Sequence, residues 1–183
     1  MNEKQIADIV NTVVAKLRSM DAAEHKTSAD TADGHEPHRC TCKERKMTLA
    51  RANALIAKVQ AKASGMGLAV VVAVADAAGR PVAVQSMDGA YIASFDIALN
   101  KSFTSAALKM STETLGQMSG PGESLYGIQY TNDGRIVIFG GGETLEWQDT
   151  IIGAIGVSGG SAAEDTYLAA YGKEVFREVM ACL

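Results

Sequence analysis

LAVVVAVADAAGRPVAVQSM, residues 68–87, is the stretch from which the fold can be read. Residues 68–76 are rich in β-branched valine, Asp76-Ala-Ala-Gly79-Arg80 has turn chemistry, and 81–87 return as PVAVQSM. A strand, a tight turn and a second strand make a hairpin, and a hairpin requires an antiparallel sheet. The unbroken apolar run, Leu68 to Ala75, is eight residues. Spanning a bilayer takes about 20.

Working outward, Thr48 caps a helix that carries Leu49, Ala52, Leu55, Ile56 and Val59 on one face and ends near Gly65 and Gly67. Downstream, residues 92–110 read as a second helix, and Ser119-Gly-Pro-Gly122 breaks the chain. GIQYT (127–131), an Asn132-Asp133-Gly134 turn and RIVIFGG (135–141) predict a second hairpin, and TIIGAIGVS (150–158) a further buried strand. Ser161 and Glu164 form a capping box that opens a last helix, with Leu168, Tyr171, Val175, Phe176 and Val179 inward. The expected order is helix, hairpin, helix, hairpin, strand, helix. This is an α+β fold with a central antiparallel β-sheet flanked by helices.

The 183 residues divide by composition into residues 1–18, 19–46 and 47–183. In the first, Ile6, Ile9, Val10, Val13, Val14 and Leu17 recur at spacings of three and four, an amphipathic helix with one apolar stripe. Residues 19–46 contain almost no large apolar side chain and read as a flexible linker. The globular domain begins at Met47. A helix this short is marginal in water unless its stripe finds a surface, which is either its own domain or a groove on a partner.

Hydrophobic residues make up 47% of the chain and charged residues 21%, with a net charge of −4. That balance fills a core and gives no electrostatic case for nucleic acid or an anionic membrane as partner. The first twenty residues carry Glu3, Lys4, Asp8 and Lys16 and do not read as a secretory signal, and three cysteines do not make a disulfide framework. A reduced cytoplasmic protein is expected.

All three histidines, His25, His35 and His38, lie in the linker, with Cys40 and Cys42. The domain therefore holds no base for Ser–His or Cys–His nucleophilic chemistry. Gly156-Val-Ser-Gly-Gly160 reads as a tight turn before a capped helix rather than a hydrolase elbow. His35, His38, Cys40 and Cys42 are the densest ligand cluster, with donors that suit zinc, iron and haem iron. Their spacing departs from structural zinc pairs, and a solvated linker with incidental His and Cys is the alternative. Two glycine-rich loops form a second candidate: Gly140-Gly141-Gly142 and Gly156 to Ser161, of which Gly141, Gly142, Gly159 and Gly160 are candidate ligand contacts through backbone amides. Lys101, on a helix of small residues, is a candidate counter-charge for an anion, the alternative being a surface lysine. Cys182 reads as a packing residue on the last helix.

Two resemblances add to this reading. Residues 1–18 followed by a linker and a domain look like the encapsulation peptides that draw cargo into bacterial microcompartments. Residues 47–180 resemble the GlcG/HbpS family, the haem-degrading-domain proteins that also form the C-terminal domain of PduO-type proteins. The match is carried by VVVAVADAAGRPVAVQSMDGA (70–90), DIALNKSFTSAAL (96–108), GRIVIFGGG (134–142) and IGAIGVSGGSAAEDTYLA (152–169). After the triple glycine this chain has Glu143-Thr-Leu-Glu146-Trp147, where family members commonly have a proline-containing segment.

The family resemblance implies a profilin-like fold, homo-oligomers and haem or tetrapyrrole binding. Its His-x-Cys pattern falls on His38-Arg-Cys40, which implies His38 and Cys40 as axial haem ligands. It does not imply adenosyl transfer, since the adenosyltransferase domain of PduO-type proteins has no counterpart in these residues. Together the resemblances imply a microcompartment-associated haem-binding accessory protein supporting cobalamin or flavin redox chemistry. Its partners would be shell or cargo proteins, reached through residues 1–18. Two other classes stay open: a small-molecule enzyme acting in the glycine-loop pocket, and a metal-stapled assembly module holding zinc or iron at the linker cluster.

Overall fold

The computed structural model describes residues 46–182. The expected terminal helix, residues 1–18, and the histidine and cysteine segment that follows it lie outside the described residues.

The first helix, α1 (Leu49–Gly65), starts where Thr48 Oγ1 accepts a hydrogen bond from Arg51 N at 3.3 Å. That oxygen satisfies one of the amides every helix start leaves unpaired. Ala52, Leu55, Ile56 and Val59 are buried as expected, while Leu49 faces solvent. The hairpin follows as β1 (Val71–Asp76) and β2 (Pro81–Ser86), with the Asp76 carboxylate accepting from Ala78 N and Arg80 N across the turn. Next come α2 (Ser94–Leu108) and a short α3 (Thr112–Met118). A second hairpin, β3 (Gly142–Trp147) and β4 (Thr150–Ser158), leads into α4 (Ala162–Cys182). The strands form one antiparallel sheet in the order β2-β1-β4-β3.

The period of two along β1 sorts the layers. Val70, Val72 and Val74 join Leu55 and Ile56 of α1 and Leu168 and Phe176 of α4 in the main core. Val71 and Ala73 point the other way, onto Ala98 of α2. Helices α1 and α4 thus cover one face of the sheet, and α2 covers the other.

The second hairpin is not where the sequence places it. Residues 127–131 and 135–141 are not paired strands; they are 3-10 turns over Ile128–Tyr130 and Asn132–Gly134, followed by coil. Ile136 and Val137 are buried, but against α2: Val137 N donates to Thr104 Oγ1 at 3.0 Å. The apolar run signalled burial without signalling pairing. The true turn is Gln148-Asp149, with both residues left-handed (φ 49 and 58), the geometry that joins strands through a two-residue turn. Gln is an unusual residue for it, which hid the hairpin. Cys182 is also corrected: it is exposed at the end of α4 and does not pack.

Helix α2 approaches the sheet closely because both sides are small. A Cβ added at Gly156 of β4 would run into the Ala98 carbonyl oxygen, with Ser102 N at 2.6 Å and Lys101 Cβ at 3.0 Å. Gly156→Ala should therefore destabilise the domain toward the upper end of ~1–3 kcal/mol, because a helix backbone must move. At Gly65 nothing stands within 4 Å of such a Cβ, and Gly65→Ala should stabilise by about 0.5 kcal/mol. Urea unfolding of the two variants checks both signs.

Candidate functional site

The site is built from the helix that fits worst by composition. Among the small residues of α2, Lys101 is the one cation, and it is wholly buried. It does not reach to the surface as the alternative reading held. Its Nζ donates to Asp165 Oδ2 at 2.8 Å and to the Val157 carbonyl at 2.8 Å, and lies 4.9 Å from the centroid of the Phe139 ring. The other carboxylate oxygen, Oδ1, accepts from Gly160 N at 2.9 Å. Lysine and aspartate thus satisfy each other, one from each side of the sheet.

Asp165 is held there by local chemistry. The capping box forms as the sequence predicts: Ser161 Oγ accepts from Glu164 N, and the Glu164 carboxylate accepts from Ser161 N at 2.8 Å. Those bonds to the carboxylate hold the Glu164 pKa below its ordinary value. Fixing the first turn of α4 aims Asp165 inward, where the helix dipole also favours a negative charge. Burial pushes the Lys101 ammonium below the ordinary lysine value, opposed by its hydrogen bond and attraction to Asp165.

Beside this pair opens a pocket of about 340 Å³, lined by Tyr91, Ser94, Ile97, Phe139, Gly160 and Asp165 together with neighbouring loop residues. Ser158 and Gly159 also border it. Of the four glycines singled out by sequence, Gly159 and Gly160 face the pocket. Gly141 and Gly142 do not; they make room for the ion pair and for α3. A Cβ at Gly141, whose φ is +110, would stand 2.6 Å from Lys101 Nζ and 2.8 Å from Asp165 Cβ. Gly142 N donates to Thr112 Oγ1 at 2.9 Å. Lys101 sits behind the pocket and acts on it only through Asp165 and Phe139.

Sequence reasoning found Lys101 and missed Asp165, Ser94, Tyr91 and Phe139. A lone cation in a small-residue helix signals a buried partner, but that partner is 64 residues away. The described residues contain no group of three or more His, Cys, Asp or Glu that could hold a metal ion. They also contain no helix long and apolar enough to cross a membrane. The expected ligands His35, His38, Cys40 and Cys42 lie outside the described residues.

Removing one member of a buried ion pair leaves a stranded charge, at a cost of about 3–5 kcal/mol. Lys101→Met and Asp165→Leu should each destabilise by that order, and the double variant by less than either. Because folding lowers the Lys101 pKa from 10.5, the unfolded chain binds more protons in the window between the lowered folded value and 10.5, so this residue's contribution to stability rises as pH climbs through that window. The stability difference between wild type and Lys101→Met should therefore grow in favour of wild type across that rise. Denaturant titrations at stepped pH measure it.

Comparison with known proteins places this architecture. The chain is 42% identical over 133 residues to an uncharacterised 15.0 kDa protein from the dhaT-dhaS intergenic region of Citrobacter freundii, covering 73% of this chain and 94% of that one. It is 38% identical over 109 residues to the corrinoid adenosyltransferase PduO of Salmonella typhimurium, covering 59% of this chain but only 32% of that enzyme. Among solved structures, one described as a PduOC:heme complex superposes with a TM-score of 0.68 at 30% identity, covering 70% of this chain and 94% of the other. Residues 47–174 match the family described as "Haem degrading protein HbpS-like", and the chain belongs to that family.

Proposed function

We propose that this chain is a haem-binding accessory protein of a bacterial microcompartment, supporting cobalamin or flavin redox chemistry. The observation that carries the reading is the likeness, at 30% identity over 70% of the chain, to the PduOC:heme structure. The match to part of a corrinoid adenosyltransferase supports the cobalamin setting.

The domain's own residues fit a tetrapyrrole in one respect and define a need in another. Tyr91, Ile92 and Phe95 stand 73%, 96% and 45% exposed at the start of α2, an apolar surface of the kind that covers a flat ring or a second copy of the chain. No histidine occurs among the described residues, so an imidazole ligand would come from the segment that precedes them. His38 and Cys40 supply an imidazole and a thiolate in the right chemistry for haem iron. Lys101, Gly141, Gly142, Gly159 and Gly160 serve this cofactor indirectly, by keeping the shape of the loops beside the apolar surface. When bound, haem would supply one-electron chemistry. The chain's part is to ligate it, exclude water from one face and assemble as a homo-oligomer.

Full-length protein titrated with haemin should develop a Soret band that weakens and shifts in both His38→Ala and Cys40→Ala. Spectra unchanged in both variants would remove the ligation. Stoichiometric zinc or iron by elemental analysis, with no haem uptake, would instead assign His35, His38, Cys40 and Cys42 to a metal.

The apolar stripe Ile6, Ile9, Val10, Val13, Val14 and Leu17 is the proposed docking element for shell or cargo proteins. Burying such side chains is worth about 1.5–3 kcal/mol each before ordering costs. A fluorescent reporter carrying residues 1–18 should co-purify with microcompartment shells, and Ile9→Glu with Val13→Glu should abolish this. Equal recovery of both forms would rule the tether out.

A further inference from the structure

The hydrogen-bonding groups on the floor of the pocket beside Lys101 and Asp165 are not used as haem contacts, and their chemistry is specific. Three polar side chains line it, all more than nine-tenths buried: Ser94, Ser158 and Asp165 at 4%, 5% and 3% exposure. Buried polar groups are normally saturated by the protein itself. Here the saturation is incomplete in a directed way. Ser158 Oγ donates to Ser94 Oγ at 3.2 Å, which leaves the Ser94 hydroxyl hydrogen without an acceptor among the described residues. Asp165 accepts one hydrogen bond on each oxygen, from Gly160 N and from Lys101 Nζ. A carboxylate has about four acceptor sites, so capacity remains on the side that lines the pocket. The floor thus offers one donor and one acceptor.

Charge decides which ligand they suit. Asp165 is the one charged side chain lining the pocket, and Lys101 already neutralises it. An anion would face an uncompensated carboxylate at close range, and a cation would have to compete with a fully buried ammonium for the same oxygens. Either would lose its hydration without a counter-charge. A neutral group that both donates and accepts meets no such cost. The walls, Tyr91, Ile97 and Phe139, are apolar or aromatic and suit a short carbon body. At about 340 Å³ the pocket stands at the small end of the range for ligand sites.

We infer that this pocket binds a small, neutral organic molecule through a hydroxyl group, which donates to Asp165 and accepts from Ser94 while its carbon chain lies against Ile97 and Phe139. The site shares Tyr91 with the apolar surface proposed for haem, but uses neither the proposed haem ligands nor any residue before Met47.

Three probes with one four-carbon body separate the possibilities: 1-butanol, butyrate and butylammonium, titrated into ¹⁵N-labelled full-length protein. With so few atoms the dissociation constant for 1-butanol should be on the order of millimolar. Saturable shifts should fall on the amides of Tyr91, Ser94, Ile97, Gly159 and Gly160. Ser94→Ala, a small-for-small change, should weaken 1-butanol about threefold to tenfold, the worth of one hydrogen bond. Ile97→Ala should weaken it as well, with the rest of the spectrum intact. Tighter binding of butyrate or butylammonium overturns the inference, as does an absence of saturation with 1-butanol. Equal affinity in wild type and Ser94→Ala overturns it too, because the contact would then be merely greasy.

Discussion

The Lys101–Asp165 pair joins elements that otherwise do not meet. Helix α2 lies on one face of the sheet and α4 on the other, and the lysine reaches past the glycine at position 141 to the carboxylate beyond. Taking both charges out of water is expensive, and hydrophobic replacements often do as well for stability alone. What the pair adds is definition. It fixes α4 through Asp165, the Gly160 loop through the second carboxylate oxygen, the end of β4 through the Val157 carbonyl and the Phe139 loop through the ring. The pocket is the space left between these elements, so its shape depends on one ion pair.

Such a joint needs close approach, and the residues around it are correspondingly small. Gly141, Gly142 and Gly156 stand where a single methyl group would meet α2 or the pair itself, and Ala98, Ser102 and Ser105 line the helix that faces them. Glycine in a strand is ordinarily unfavourable, since it sacrifices propensity and packing area. Here the loss is offset by bringing a helix near enough for a lysine side chain to cross from one layer to the other.

These dependencies explain what the sequence disclosed. The first hairpin, the caps of α1 and α4 and the buried faces of both helices were legible, because each rests on residues within a few positions of one another. Ser161 and Glu164 announce their helix in four letters. The second hairpin was misplaced because RIVIFGG buries its side chains against α2 rather than in a ladder, and because Gln148-Asp149 adopts a turn usually marked by Asn-Gly. The glycine loops were recognised as places of close approach, but for Gly141 and Gly142 what approaches is the protein's own side chains. Asp165 was invisible as a site residue, since nothing local distinguishes it from the acidic first turn of any capped helix.

The chemistry left in the domain also follows from this arrangement. Its acid, Asp165, already holds two hydrogen bonds, and its buried amine is spent on that acid and a carbonyl. No histidine stands among the described residues. A carboxylate that accepts one hydrogen bond on each oxygen, from an ammonium and from a backbone amide, keeps acceptor capacity with which to hold a ligand. The residues we propose as haem ligands, His38 and Cys40, belong to the segment before Met47, so the proposed ligation and the pocket of the domain draw on different stretches of the sequence.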